Sequence, residues 1–69
     1  MTKSEIIKDL KSTFSGAGLI GIGQIAQYTS MHRNTVSRML AGTDYFSLGK
    51  RKLYAVNDVA ELIISMRNN

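Results

Sequence analysis

The stretch from Ile22 to Gly42, IGQIAQYTSMHRNTVSRMLAG, constrains the fold more than any other part of the chain. Apolar residues recur at helical spacing on both sides of a short interruption. Ile22, Ile25 and Ala26 share one face of a first helix, and Ala26 is small where two helices must cross closely. Thr29 and Ser30 place two hydroxyls in a row, which compete for backbone hydrogen bonds and favour a turn over continuation. Periodicity then resumes, with Met31, Val36, Met39 and Leu40 able to face inward together. On a helix advancing about 100° per residue, Asn34, Ser37, Arg38 and Ala41 fall on the opposite side. Gly42 follows the last periodic residue and suits a left-handed cap. The expectation is two short helices joined by a tight turn.

The free face of the second helix carries specific chemistry. A side chain like Arg33 makes a bidentate contact to guanine, and one like Asn34 a bidentate contact to adenine. Both lie in the first turn, the end that enters deepest in a helix-turn-helix bound to DNA. Ser37 and Arg38 reach phosphates or base edges, Thr35 lies between them and the first turn, and His32 either contacts a phosphate or caps the helix. A solvated polar face is the blander reading. The coincidence of apolar spacing, small residue, turn and exposed Arg-Asn favours DNA binding.

Charge points the same way. The chain carries +4 overall, and between Arg33 and Lys52 five basic residues stand against Asp44 alone, so the whole excess lies in this part. A polyanion is the natural partner. A membrane surface would call for a basic amphipathic helix with bulky apolar residues opposite, which this segment lacks. With 69 residues the chain is one small domain with a marginal core. It has no cysteine, which fits a reducing, cytoplasmic setting. No apolar run approaches the roughly 20 residues needed to span a bilayer, and no signal-peptide core is evident.

Elsewhere the pattern predicts supporting elements. Thr2 and Glu5 have capping-box spacing ahead of an apolar stripe of Ile6, Ile7, Leu10 and Phe14, so a first helix is expected at about residues 3–14. The glycines of SGAGLIGIG satisfy G-x-G-x-x-G, but a helix precedes them, not the strand a dinucleotide site requires. The segment is expected to be a flexible linker, with Leu19-Ile20 an apolar plug or a short strand pairing with the later hairpin. Tyr45-Phe46-Ser47-Leu48 and Lys52-Leu53-Tyr54-Ala55-Val56 are rich in aromatic and β-branched residues. They flank Gly49-Lys50-Arg51, giving a hairpin with a basic tip at about residues 45–56. Beside a DNA-reading helix such a wing lays Lys50, Arg51 and Lys52 on phosphates or in the minor groove. Asn57-Asp58 is expected to start a last helix at about residues 58–67, with Asp58 and Glu61 as a capping box and Val59, Leu62, Ile63 and Met66 as its buried stripe. Arg67-Asn68-Asn69 reads as a frayed end.

IAQYTSMHRNTVSRML resembles the helix-turn-helix of the lactose-repressor family, of rough pattern V-A-x-x-A-G-V-S-x-x-T-V-S-R-V-L. The matching residues are Ile25, Ala26, Tyr28, Met31, Thr35, Val36, Ser37, Arg38, Met39 and Leu40. In that family the two variable positions before T-V-S-R read bases; here they are Arg33 and Asn34. Ser30 replaces the turn glycine and His32 the serine cap, both weaker choices. The order from Ile22 to Ile64 also resembles the winged modules of excisionases and MerR-type proteins, and Leu53-Tyr54-Ala55-Val56-Asn57-Asp58-Val59 has the shape of their hairpin end running into a short helix. That resemblance implies a mainly α fold with a small β-hairpin, a winged helix-turn-helix with an extra N-terminal helix. It also implies specificity gained on neighbouring sites, through further copies of the chain or another DNA-bound protein such as a recombinase. No second exposed apolar face is evident in the sequence, so a monomer or weak dimer is expected in free solution.

Catalysis is not expected. One histidine and no cysteine cannot assemble a zinc site, and His32 has no carboxylate near it in sequence for a triad. No cofactor and no small-molecule ligand are expected. Two classes of function remain: sequence-specific binding of double-stranded DNA, by a small transcriptional regulator or an excisionase-like factor, and a protein-interaction module docking an acidic partner through its basic face.

Overall fold

A computed structural model describes residues 1–66; the expected frayed end, Arg67 to Asn69, and the last residue of the expected final helix lie outside them. Helix α1 (Lys3–Thr13) opens on the capping box that its sequence announces. The Thr2 hydroxyl accepts the Glu5 N–H at 3.2 Å, and the Glu5 carboxylate accepts the Thr2 N–H at 2.8 Å. That backbone donor, and then the hydroxyl, hold the exposed Glu5 carboxyl below its ordinary range. α1 buries Ile6 and Leu10. It ends at Phe14, where Ser15 and Gly16 reverse the chain with φ of 58° and 80°.

The glycine-rich segment holds a strand, β1 (Leu19–Gly21). It passes without a loop into α2 (Ile22–Thr29), and Gly21 is both the last strand residue and the helix cap, its N–H donating to Gln24 Oε1 at 2.9 Å. α2 buries Ile25 and Ala26, and α3 (Arg33–Met39) buries Val36, with Leu40 just beyond it. Two further strands, β2 (Phe46–Leu48) and β3 (Arg51–Ala55), form the hairpin, and α4 (Val56–Ser65) closes the chain. The sheet is antiparallel with order β1-β3-β2. Leu19, Ile20 and Gly21 pair with Ala55, Tyr54 and Leu53, while Phe46, Ser47 and Leu48 pair with Leu53, Lys52 and Arg51. Leu19-Ile20 is thus a strand, with Ile20 wholly buried, and the expected hairpin supplies the central strand β3 and the edge strand β2 of a three-stranded sheet. Among the described residues the fold is a small α+β one, four helices on one short sheet.

Four expectations are corrected. α4 begins at Val56, not at Asn57-Asp58, because the Val56 N–H donates to the carbonyl of Gly18, the residue before β1, at 3.0 Å, which satisfies a donor at the helix start. Ala55 is the cap, and the Asp58–Glu61 box does not form. Asp58 lies in the first turn, where a carboxylate still suits the helix dipole, and Glu61 instead meets Lys3 of α1 at 3.7 Å. The starting point also rotates the helix, so Val56, Val59 and Ala60 are buried, Leu62 and Ile63 are half-buried and Met66 is exposed. In α3, Met39 is only half-buried and does not join the core.

The core is one cluster: Ile6 and Leu10 of α1, Ile20, Ile25, Ala26, Val36, Leu40, Tyr54, and Val56, Val59 and Ala60 of α4. Every element contributes except β2, whose three residues are all exposed. Phe46, Leu48 and the preceding Tyr45 stand among the exposed large apolar residues. An apolar groove also lies beside Ile6, Met31 and Ile64. The expectation of no second exposed apolar face therefore fails: periodicity assigned each helix one stripe and could not see what the outer strand leaves uncovered. No helix among the described residues is long and apolar enough to cross a membrane.

Candidate nucleic-acid interface

The turn between α2 and α3 sets how α3 is presented. Thr29 donates its hydroxyl back to the Ile25 carbonyl at 2.8 Å. Ser30 adopts φ 59° and ψ 29°, the left-handed conformation that glycine reaches most easily. The N–H groups of Ser30 and Met31 then both reach the Ala26 carbonyl, closing α2 in Schellman fashion. His32 caps α3, with Nδ1 accepting the Asn34 N–H at 3.1 Å, so the neutral ring carries its proton on Nε2. Of the two roles expected for His32, this geometry supplies the cap.

Burial of Val36 and Leu40 fixes the rotation of α3. His32, Arg33, Asn34, Ser37 and Arg38 are exposed, and Thr35 is half-buried at the margin. The exposed set divides. Arg33 turns toward the start of α2, where a β-carbon on Gly23 would stand 3.8 Å from its Nη1. There it lines a cleft of about 640 Å³ with Gly21, Gly23, Gln24, Gln27, Lys50, Arg51 and Lys52. Asn34, Ser37 and Arg38 are not part of that lining.

The hairpin supplies the opposite wall. Leu48 pairs directly with Arg51 across the two-residue connection Gly49-Lys50. Gly49 has φ 63°, while Lys50 has no positive φ; glycine first with φ above zero is the pattern of a type II′ turn, whose twist matches the strands. Lys52 sits 4.9 Å above the Tyr45 ring, and that ring leans on Tyr54 with centroids 6.1 Å apart. This anchors Lys52 at its base and leaves its ammonium donors available.

Four cations, Arg33, Lys50, Arg51 and Lys52, line the cleft with no carboxylate among its lining residues. Among the described residues none of the four has a salt-bridge partner. Asp44, Asp58 and Glu61 gather around a separate depression with Thr43, Leu62 and Ser65. The four cleft cations are thus set apart from these three carboxylates, so attraction for a polyanion is not cancelled within the cleft. Sequence reasoning missed Gly21, Gly23, Gln24 and Gln27. Their signal was present: two amides at i and i+3 on α2, beside glycines that let a guanidinium approach. No family model, curated protein or solved structure matches the chain.

Proposed function

We propose that the protein is a winged helix-turn-helix domain that binds double-stranded DNA in a sequence-specific way, as a small transcriptional regulator or an excisionase-like factor. In this reading α2 and α3 are the helix-turn-helix, α3 lies in the major groove, and the β2–β3 hairpin is the wing. The observation that carries it is the meeting of Arg33 with Lys50, Arg51 and Lys52 in one cleft free of carboxylates. Arg33 and Asn34 read base edges, Ser37 and Arg38 extend the interface along the groove, and the wing cations neutralise phosphates. His32 holds the start of α3, and Thr35 supports it from the margin.

The test is a titration of labelled duplexes of about two helical turns, followed by anisotropy at several salt concentrations. Binding should weaken steeply as salt rises, with log K falling by about 0.9 per phosphate neutralised, and one duplex sequence should compete better than another. Equal binding of duplex DNA and an acidic polypeptide, without sequence preference, would instead favour a docking module for acidic proteins.

A further inference from the structure

Leu48 is 65% exposed, the most exposed large hydrophobic side chain among the described residues. It is the last residue of β2, at the lip of the hairpin turn. Single exposed leucines are ordinary, but this one is not isolated. Phe46, two residues back on the same face of the strand, is 55% exposed. Their cross-strand partners are Arg51 and Leu53. Residues 45–55 contain Lys50, Arg51 and Lys52 and no acid. The tip is thus an apolar side chain with cations beside it, Lys50 in the turn and Arg51 directly opposite, and Arg51 also lines the cleft shared with Arg33.

This combination fits one occupant best. A DNA minor groove offers sugar and base surface between two rows of phosphates, so an apolar probe flanked by cations matches it in both charge and polarity. Apolar side chains that enter a minor groove press between base steps and partly unstack them, and pyrimidine–purine steps yield most easily. A second copy of the chain fits less well, because β2 is only three residues long and offers a short edge for pairing.

We infer that Leu48 probes the minor groove, and that the protein therefore selects duplexes carrying a flexible pyrimidine–purine step, TA or CA/TG, at a fixed distance from the bases read by Arg33 and Asn34. The inference rests on the DNA-binding reading and adds to it a class of target. The turn supports the role: its type II′ geometry holds Leu48 and Arg51 opposite each other, so the probe and its flanking charge are presented together.

The test is selection of bound duplexes from a random pool, run with the wild type, Leu48→Ser and Leu48→Met, with circular dichroism checking that each variant folds. Wild type and Leu48→Met should enrich a TA or CA/TG step at one offset. Leu48→Ser should recover the same major-groove bases without the step. On the selected duplex, changing that step to AA should weaken wild-type binding about fivefold or more and Leu48→Ser binding less than about twofold. A wild-type selection without a fixed step, or a step retained by Leu48→Ser, overturns the inference and leaves the DNA-binding reading standing. Failure to enrich any duplex overturns both. A DNA-free dimer in sedimentation that Leu48→Ser dissolves would assign the tip to self-association and overturn the inference as well.

Discussion

The guanidinium of Arg51 lies so close to Gly21 that a β-carbon on the glycine would stand 3.0 Å from Nη2. A strand end and a hairpin cation are thereby packed against each other through the absence of a side chain. Gly21 itself has φ −91° and ψ 170°, extended backbone that alanine adopts freely. Gly21→Ala should therefore leave stability within about 1 kcal/mol of wild type, since the Arg51 tip can swing aside and the loss of glycine entropy in the unfolded chain offsets a poorer cap. Affinity for DNA should fall, because the displaced guanidinium leaves the cleft. Thermal melting paired with duplex titration separates the two effects; unfolding, or unchanged affinity, would mean the packing positions nothing.

Arg33 and Asn34 should carry sequence discrimination. Each change to alanine is expected to cost roughly 1–3 kcal/mol on the best duplex and much less on random DNA. Equal losses on both would reassign the side chain to the DNA backbone. Because Arg33 shares the hairpin's cleft and Asn34 does not, Arg33→Ala should couple non-additively with Arg51→Ala in a double-mutant cycle.

Neutralising Lys50, Arg51 and Lys52 together should weaken binding to every duplex. The slope of log K against log salt should flatten by about 0.9 for each phosphate that the hairpin no longer neutralises. The three residues are exposed and outside the core, so the variant should melt close to the wild type. An unchanged slope would leave the hairpin a structural element only.

Ser30, like Ser15, holds a backbone conformation that a residue with a β-carbon adopts at a cost. Its left-handed φ of 59° costs a residue with a β-carbon about 1–2 kcal/mol, and no hydrogen bond of its hydroxyl among the described residues offsets this. Ser30→Gly should stabilise the fold by about 0.5–1 kcal/mol after the glycine's extra unfolded-state entropy. For a domain of this size that raises Tm by roughly 2–8 °C. A lower Tm would show that the turn is held by something other than its backbone conformation.

Tyr28 links α2 to α1. Its hydroxyl donates to Asp9 and its ring meets Phe14 with centroids 6.3 Å apart. Desolvation first, then the Asp9 hydrogen bond and charge, push the phenol up to about 12 from an ordinary 10.0. Once pH passes the ordinary value, the unfolded chain releases this proton and the folded chain does not. The contribution to stability is complete below about pH 10 and is lost between there and pH 12. Denaturation across that window should show a steeper alkaline loss in wild type than in Tyr28→Phe. Difference absorbance between the two should reveal a phenol ionising near pH 12. Parallel curves would exclude the bond in solution.

What could be read from the sequence was local. Ile25, Ala26, Val36 and Leu40 recur at helical spacing, and the structure buries all four. Thr2 and Glu5 close their box as their separation requires. What could not be read was tertiary. Val56 is β-branched and reads as a strand residue, and only the Gly18 carbonyl makes it the first residue of a helix. Leu19-Ile20 is too short to show an alternation, so its pairing with β3 stayed one of two options. The basic residues were all visible, but the cleft that joins Arg33 to the hairpin and leaves Arg38 outside depends on how the sheet sits against α2. Gln24 and Gln27 stand at i and i+3 on α2 and so were legible as a pair, but only the cleft shows what they face.

The exclusion of β2 from the core has a consequence for how such a protein can change over generations. A chain this small has little stability to spare, and most buried positions tolerate few replacements. Phe46, Ser47 and Leu48 are exposed and outside the core, so altering their side chains costs the fold little, while they stand beside the groups proposed to meet the partner. Preference for a target could drift by substitution along this one strand, with the helices and the other two strands inherited intact.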